Sequence, residues 1–202
     1  MFSTATPPTP LKDAVAHDHQ EMYEYYEQFQ KHAGNTDLQK RWAHQLTWEV
    51  VRHAAGEEII VYPLMEASLG QEGKALADQD REDHQSIKIM LAQLESMHVG
   101  TDEYNTLMSK MMAQLREHND SEEKHDLPLL EGVLHLDNSK EAAHRFSITK
   151  HFVPTRAHPL APDQSHFKTL VAFMTAPVDK LKDVFTSFPT GEMKKEAEDS
   201  SR

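Results

Sequence analysis

Two histidine–glutamate pairs carry the most recognisable chemistry in this sequence. His53 precedes Glu57 by four residues, and His118 precedes Glu122 by the same spacing. Residues at positions i and i+4 lie on one face of an α-helix, so each pair can direct an imidazole and a carboxylate towards one point. These ligand types, in the absence of thiolate, suit iron, zinc or manganese. The two pairs are therefore candidate metal ligands.

Each pair belongs to a longer internal repeat, in which matching residues are 65 positions apart. The tripeptide Asp-His-Gln at 18–20 recurs at 83–85, and the segment 53–63, which starts with the pair and ends in proline, recurs as 118–128. A single His-x-x-x-Glu pair is usually a solvated contact worth roughly 0.2–0.5 kcal/mol. Two copies in one register, each with a lone histidine 34 residues upstream, favour a functional site instead.

Four amphipathic helices are predicted to position these groups. Apolar residues recur at helical spacings over residues 11–32, 37–65, 75–97 and 102–127. Gly70 and Gly73 are expected to separate the second helix from the third. Pro63 is expected to kink the second helix, and Pro128 to stop the fourth. Short connections make consecutive helices antiparallel, so we predict an all-α fold, an antiparallel up-down four-helix bundle.

The chain beyond the bundle has a different composition. One helix is predicted near residues 139–152, followed by a proline-rich stretch and short apolar runs at 167–174 and 178–185. The end of the chain is charged, and we expect it to be disordered. The predicted organisation is a flexible N-terminus over 1–10, the bundle over 11–134, a partly helical C-terminal extension over 135–190 and a disordered tail over 191–202.

Two matched helical hairpins would bring the repeated residues to one interior site. His53 and His118 each lie three residues beyond a position of the apolar stripe, which places them on inner helix faces. Each hairpin offers half a site, so two metal ions are expected, and a glutamate can bridge cations about 3.5–4 Å apart. The alternative is a buried polar network, which would need a hydrogen-bonding partner for every group. The predicted metal ligands are His19, His53, Glu57, His84, His118 and Glu122.

Composition argues against several other classes of protein. The 202 residues include 14 histidines and no cysteine, and the formal charge is −12 with histidine neutral. An acidic surface repels phosphate, so binding to nucleic acid or to an anionic membrane is not expected. The lack of cysteine permits a reducing compartment. Residues 1–10 lack the pattern of a secretory signal and no apolar run could span a membrane, so we expect a cytoplasmic protein.

These motifs resemble those of hemerythrin and the wider hemerythrin-like, HHE cation-binding proteins. The resemblance covers residues 11–134 and rests on Asp18-His19, the segment 53–63, Glu82-Asp83-His84 and the segment 118–128. The later stretches 151–159 and 176–181 resemble the extension seen on fungal members. The resemblance implies that the six predicted ligands hold two iron ions in a non-haem di-iron centre.

One position departs from the pattern of the oxygen carriers in this family. Those proteins have a second histidine on the third helix, whereas Lys88 follows His84 by four residues here. This difference argues against reversible oxygen carriage. Asp80 precedes His84 by four residues, but the repeat does not support it as a ligand, because its counterpart is Val15. His17 is expected on the outer surface of the first helix.

The resemblance implies a protein that binds a small ligand such as oxygen or nitric oxide, for sensing, storage or iron and oxygen homeostasis. Di-iron centres of mixed histidine and carboxylate ligation can also activate oxygen. An oxidase or oxygenase acting on a small organic substrate is therefore the alternative, with the extension shaping a substrate pocket. A structural module is a third hypothesis, and it requires metal content to be independent of His53 and His118.

Overall fold

The computed structural model describes residues 9–157, 179, 183 and 186–200. Its helices are α1 (Leu11–Lys31), α2 (Thr36–Gly56), α3 (Tyr62–Leu69), α4 (Gln71–Glu95), α5 (Asp102–Ser121), α6 (Leu127–Val133), α7 (Leu136–Thr149) and α8 (Gly191–Ser200). Helix α1 packs on α2 and helix α4 on α5, and the two hairpins meet through contacts of α1 with α5 and of α2 with α4. The described residues contain no β-strand. The predicted all-α bundle with a partly helical extension is confirmed.

A π-helical turn joins α2 to α3, and a second one joins α5 to α6. They cover Glu57–Val61 and Glu122–Asp126, and the N–H of the residue after each turn donates to the carbonyl of the turn's first residue, five positions earlier. Pro63 and Pro128 follow as second residues of the next helices. A proline has no N–H to donate and crowds the carbonyl four residues before it, and the wider turn relieves both problems. The prediction that Pro128 stops the fourth helix is therefore wrong, and this helix runs on to Val133.

A single glycine separates the second long helix from the third. Gly70 has a φ of 64° and makes the turn, so the second helix extends beyond Met65 to Leu69. Gly73 was expected to take part in the break, but it lies inside α4. A Cβ at this position would lie 2.1 Å from the carbonyl oxygen of Met65. Only glycine allows α3 and α4 to approach each other so closely.

Two clusters of buried apolar side chains divide the bundle along its length. One cluster includes Met22, Leu46, Leu91 and Met111, and the other includes Leu11, Val61, Ala77 and Leu130. The bundle consists of four helical rods, namely α1, α2 with α3, α4, and α5 with α6. Each cluster therefore contains residues from all four rods. Along α1, Val15 belongs to the second cluster and Met22 to the first. His19 lies between them in sequence, so the predicted ligands fall at the level where the two clusters meet.

Part of the C-terminal extension packs against the bundle. Helix α7 contacts α1 and the π-helical turn after α2, and its Phe146 is fully buried there. The prediction of a disordered tail over 191–202 differs from the structure, in which residues 191–200 form α8. Met193 and Ala197 of this helix pack against the core. The apolar runs predicted at 167–174 and 178–185 lie almost wholly outside the described residues.

Within the described part of the chain, no helix combines the length and apolar character needed to span a membrane.

Replacing Gly73 with alanine should destabilise the fold, because the added methyl group cannot be placed without separating α3 from α4. Overpacking of this kind costs about 1–3 kcal/mol, to be measured as the free energy of unfolding in urea. Gly132→Ala is the matched control, since Gly132 is also helical and nothing lies within 4 Å of the position of its Cβ. The control should be neutral or stabilise the protein by up to about 1 kcal/mol. Equal effects of the two substitutions would contradict the close packing.

Candidate metal centre

All six residues that the sequence predicts as metal ligands meet inside the bundle. None of them has more than 2% of its surface exposed. They are His19 on α1, His53 on α2, Glu57 in the first π-helical turn, His84 on α4, His118 on α5 and Glu122 in the second π-helical turn. Every helical rod of the bundle thus contributes to one buried polar cluster, with apolar side chains on both sides of it.

His19 and His53 form one half of this cluster. Their Nε2 atoms lie 3.1 Å apart. Glu57 Oε1 lies 3.0 Å from His53 Nε2, and Glu122 Oε2 lies 3.6 Å from His19 Nε2. The four residues each offer a ligand atom within 4.8 Å of the others. Such spacing is compatible with bonds of about 2.0–2.2 Å from nitrogen and oxygen donors to one shared ion.

His84 and His118 form the other half. His84 Nε2 lies 3.4 Å from Glu57 Oε2, and His118 Nε2 lies 3.6 Å from Glu122 Oε2. One carboxylate oxygen of Glu57 therefore faces the first half, and the other oxygen faces the second half. Glu122 Oε2 lies at the same distance from a histidine of each half. Both carboxylates therefore lie between the two pairs of histidines.

Several polar atoms of the cluster have no hydrogen-bonding partner among the described residues. They are both carboxylate oxygens of Glu57, Oε2 of Glu122 and both ring nitrogens of His118. The short contact between Glu57 and His53 lacks the geometry of a hydrogen bond. A buried polar atom without a partner costs about 1–3 kcal/mol, so a self-contained hydrogen-bond network does not account for the cluster. Cations would satisfy these atoms together, and the donor set of imidazoles and carboxylates fits them.

Carboxylates outside the cluster hold the imidazoles of the first half. Asp18 Oδ2 lies 3.0 Å from His53 Nδ1, and Glu123 Oε1 lies 2.8 Å from His19 Nδ1. When Nδ1–H donates to a carboxylate, the lone pair of Nε2 is free to bind a metal and the ring orientation is fixed. Both histidines therefore direct Nε2 into the cluster.

The repeat places equivalent carboxylates beside the second half. Glu58 Oε1 lies 3.2 Å from His84 Nδ1, whereas Asp83 Oδ2 is 3.9 Å from His118 Nδ1, beyond hydrogen-bonding distance. Sequence reasoning that selects only the ligands misses these supporting groups. The signal that marks them is the recurrence of the Asp-His and Glu-Glu dipeptides in both halves of the repeat.

Residues 11–130 match the family model described as the hemerythrin HHE cation binding domain. This match spans more than half of the chain and includes all six clustered residues. The chain belongs to the hemerythrin HHE family. An uncharacterized hemerythrin-like protein of Schizosaccharomyces pombe is 40% identical over 181 residues, which is 90% of this chain and 89% of the relative. No solved structure gives a significant match. The family and the buried histidine–glutamate cluster together indicate a metal-binding protein.

Tyr62 brings a hydroxyl group into this HHE cluster. Its hydroxyl oxygen lies 3.1 Å from His84 Nε2 and donates to Glu122 Oε1 at 3.2 Å. The side chain is fully buried. The counterpart of Tyr62 in the repeat is Leu127, so the repeat carries no signal for this contact.

Asp80 also reaches the HHE cluster, although the repeat does not support a ligand there. It is buried, lies 3.8 Å from His118 Nδ1 and forms a possible ligand group with His118 and Glu122. The second half of the cluster thus contains an acidic group that has no counterpart in the first half. His17 lies instead in a groove between α1 and α7, and the side chain of His125 is 61% exposed, so neither joins the cluster.

The acidic groups of the HHE cluster differ in their affinity for protons. Burial raises the pKa of Glu122 well above its usual value, and the nearby carboxylate of Glu57 raises it further. Burial also raises the pKa of Asp80, to about 8. Burial acts in the same direction at Glu57, but the charge of His53 outweighs it and holds the pKa of Glu57 well below its usual value. A cation that entered the site at neutral pH would displace the proton of Asp80.

In the metal-free protein, Glu57→Gln should therefore destabilise the fold more than Glu122→Gln does. The first change breaks a buried pair between Glu57 and His53, which costs about 3 kcal/mol. The second replaces a carboxyl group whose charge the site disfavours by a neutral amide of the same shape, with an effect below about 1 kcal/mol. Urea unfolding of both variants in the presence of a chelator at pH 7 measures the difference. A larger effect at Glu122 would show that the site does not favour the charge of Glu57 over that of Glu122.

Proposed function

We propose that this hemerythrin-like chain holds two iron ions with His19, His53, Glu57, His84, His118 and Glu122, and that the iron pair takes up a small ligand such as oxygen or nitric oxide. The role would be sensing, storage or iron and oxygen homeostasis. The observation that carries the proposal is the sharing of Glu57 between two groups of donors, one containing His19 and His53 and the other His84 and His118. Two donor groups joined by a carboxylate favour two ions over one. Imidazole and carboxylate donors suit iron, as the family resemblance implies.

The side chains of the chain itself hold, orient and isolate the ions. The carboxylates of Asp18 and Glu123 orient two of the imidazoles. Burial raises the pKa of Tyr62 well above its usual value, and Glu122 raises it further, so its hydroxyl keeps a proton and can donate it in a hydrogen bond. When bound, the iron pair supplies the redox chemistry and the small-molecule binding that these side chains lack.

The burial of the centre favours a small ligand over an organic substrate. The groove between α1 and α7, with a volume of about 890 Å³, comes close to the centre at Asp18, but none of the six proposed ligands lines it. Each of those six residues is at most 2% exposed. A diatomic molecule can pass through small fluctuations of a packed interior, whereas an organic substrate would need an open channel. The oxidase or oxygenase alternative is therefore the weaker of the two.

The purified protein should contain about two irons per chain, one for each donor group. Metal analysis of His53→Ala and His118→Ala should show a loss of iron from each variant. His125→Ala is the matched control, since its side chain is 61% exposed and outside the cluster, and it should keep the full iron content. Full occupancy by zinc with almost no iron would contradict the choice of metal. Unchanged metal in both histidine variants would favour the structural module.

Mixing the reduced, iron-loaded protein with oxygen, or with nitric oxide, should give a stable change in the absorption spectrum. The reason is that the six proposed ligands are buried and none of them lines the groove between α1 and α7. Stopped-flow absorbance and an oxygen electrode follow the reaction. Continuous consumption of oxygen with a reductant and a small organic substrate would instead support the oxygenase alternative.

A further inference from the structure

The end of helix α7 reaches the metal centre through Lys150, although the family match ends at residue 130. The ammonium group of Lys150 bonds to Asp18 Oδ2 and lies 3.5 Å from Glu49 Oε1. Asp18 Oδ2 in turn lies 3.0 Å from Nδ1 of His53. A short series of contacts thus leads from the C-terminal extension to one of the proposed ligands.

Further contacts fix Lys150 in this place. Arg52 Nε donates to the carbonyl oxygen of Lys150 at 2.7 Å. One turn earlier, the ring of Phe146 stands edge-on to the imidazole of His53, with ring centres 5.6 Å apart. This ring also lies against Gly56, where a Cβ would be only 2.8 Å from it. The lysine is consequently held at the centre by the packing of α7 on α2.

The charge of Lys150 offsets the burial of Asp18, which is only 4% exposed. Its Oδ2 atom contacts both Nδ1 of His53 and the ammonium group of Lys150. A carboxylate accepts a stronger hydrogen bond than a neutral acid does. Lys150 therefore supports the carboxylate that orients the ring of His53.

The other half of the centre has the same arrangement, built from inside the bundle. Lys88 bonds to Glu58 Oε1, and this oxygen lies 3.2 Å from His84 Nδ1. Each half thus contains one histidine that is supported by a carboxylate and a lysine. In the second half the lysine belongs to α4, and in the first half it comes from the extension.

We propose that Lys150 is a positioning residue of the metal centre, and that the extension as far as residue 150 completes the half formed by His19 and His53. This inference rests on the proposed function, because it presupposes a pair of bound ions. The bundle over 11–130 would then be an incomplete metal site, and α7 would be part of the centre as well as part of the fold.

Lys150→Met tests this role, since methionine removes the charge and keeps most of the length of the side chain. Full-length wild type and variant are loaded with Fe(II) and transferred without oxygen into an excess of chelator, and iron release is followed by absorbance. One of the two ions should leave the variant faster, by up to about 10–100-fold, which is the range of affinity lost when the direct partner of a metal ligand is removed. The release of the other ion should be unchanged. Lys150→Gln gives the same comparison if the methionine variant does not fold.

Three further variants separate positioning from general stability. Lys150→Arg keeps the charge and should restore slow release. Lys140→Met changes a lysine within α7 that, like Lys150, lines the groove between α1 and α7, and this variant should behave like the wild type. The double variant Lys88→Met/Lys150→Met should release both ions quickly, because each half loses its lysine. Thermal unfolding of the metal-free proteins shows whether the substitutions act through the fold.

The outcomes distinguish this inference from the proposed function. A wild-type protein that binds no iron would overturn the proposed function, and this inference with it. A wild-type protein that binds two irons, with a Lys150→Met variant that releases both at the wild-type rate, would overturn this inference alone. Equal acceleration of both ions, together with a lower unfolding temperature of the metal-free variant, would also overturn it, since Lys150 would then support only the fold.

Discussion

The burial of two carboxylates, Glu57 and Glu122, is the constraint on which the rest of this structure depends. Removing a carboxylate from water costs several kcal/mol even after the protein relaxes, and these two also repel each other. The bundle surrounds them with four imidazoles and keeps apolar clusters on both sides. The low dielectric of such an interior strengthens every attraction between charged groups. It also makes unpaired atoms costly, so the same burial that excludes water favours the binding of cations.

The convergence of the six clustered residues could be predicted from the sequence, because a constant offset of 65 residues preserves both the helix face and the depth in the bundle. Asp80 and Tyr62 could not be predicted in this way. Their counterparts are Val15 and Leu127, which are buried apolar residues. A repeat identifies what two halves have in common, so groups that distinguish the halves require the packed structure.

The ends of helices show a similar limit. Proline usually terminates a helix, and nothing local in the sequence shows that a wider turn before Pro128 lets the helix continue. The charged composition of residues 191–202 favours disorder, but Met193 and Ala197 are four residues apart and give α8 one apolar face. Lys150 is a single residue without a repeated partner in the sequence, so its contact with Asp18 depends on how α7 docks. In each case tertiary packing decides between local alternatives that the sequence leaves open.

The two π-helical turns have a consequence for how this fold can vary. Each adds one residue to a helix of 3.6 residues per turn, so all side chains downstream are rotated by about 100° relative to an uninterrupted helix. Tyr62 and Leu127 immediately follow these turns and owe their inward orientation to that added rotation. If either turn became regular helix at unchanged length, the side chain that follows it would rotate by about 100°, away from its place in the interior. Variation at Pro63 and Pro128 is therefore constrained by the orientation of their neighbours as well as by the backbone, because these prolines disfavour a regular helix.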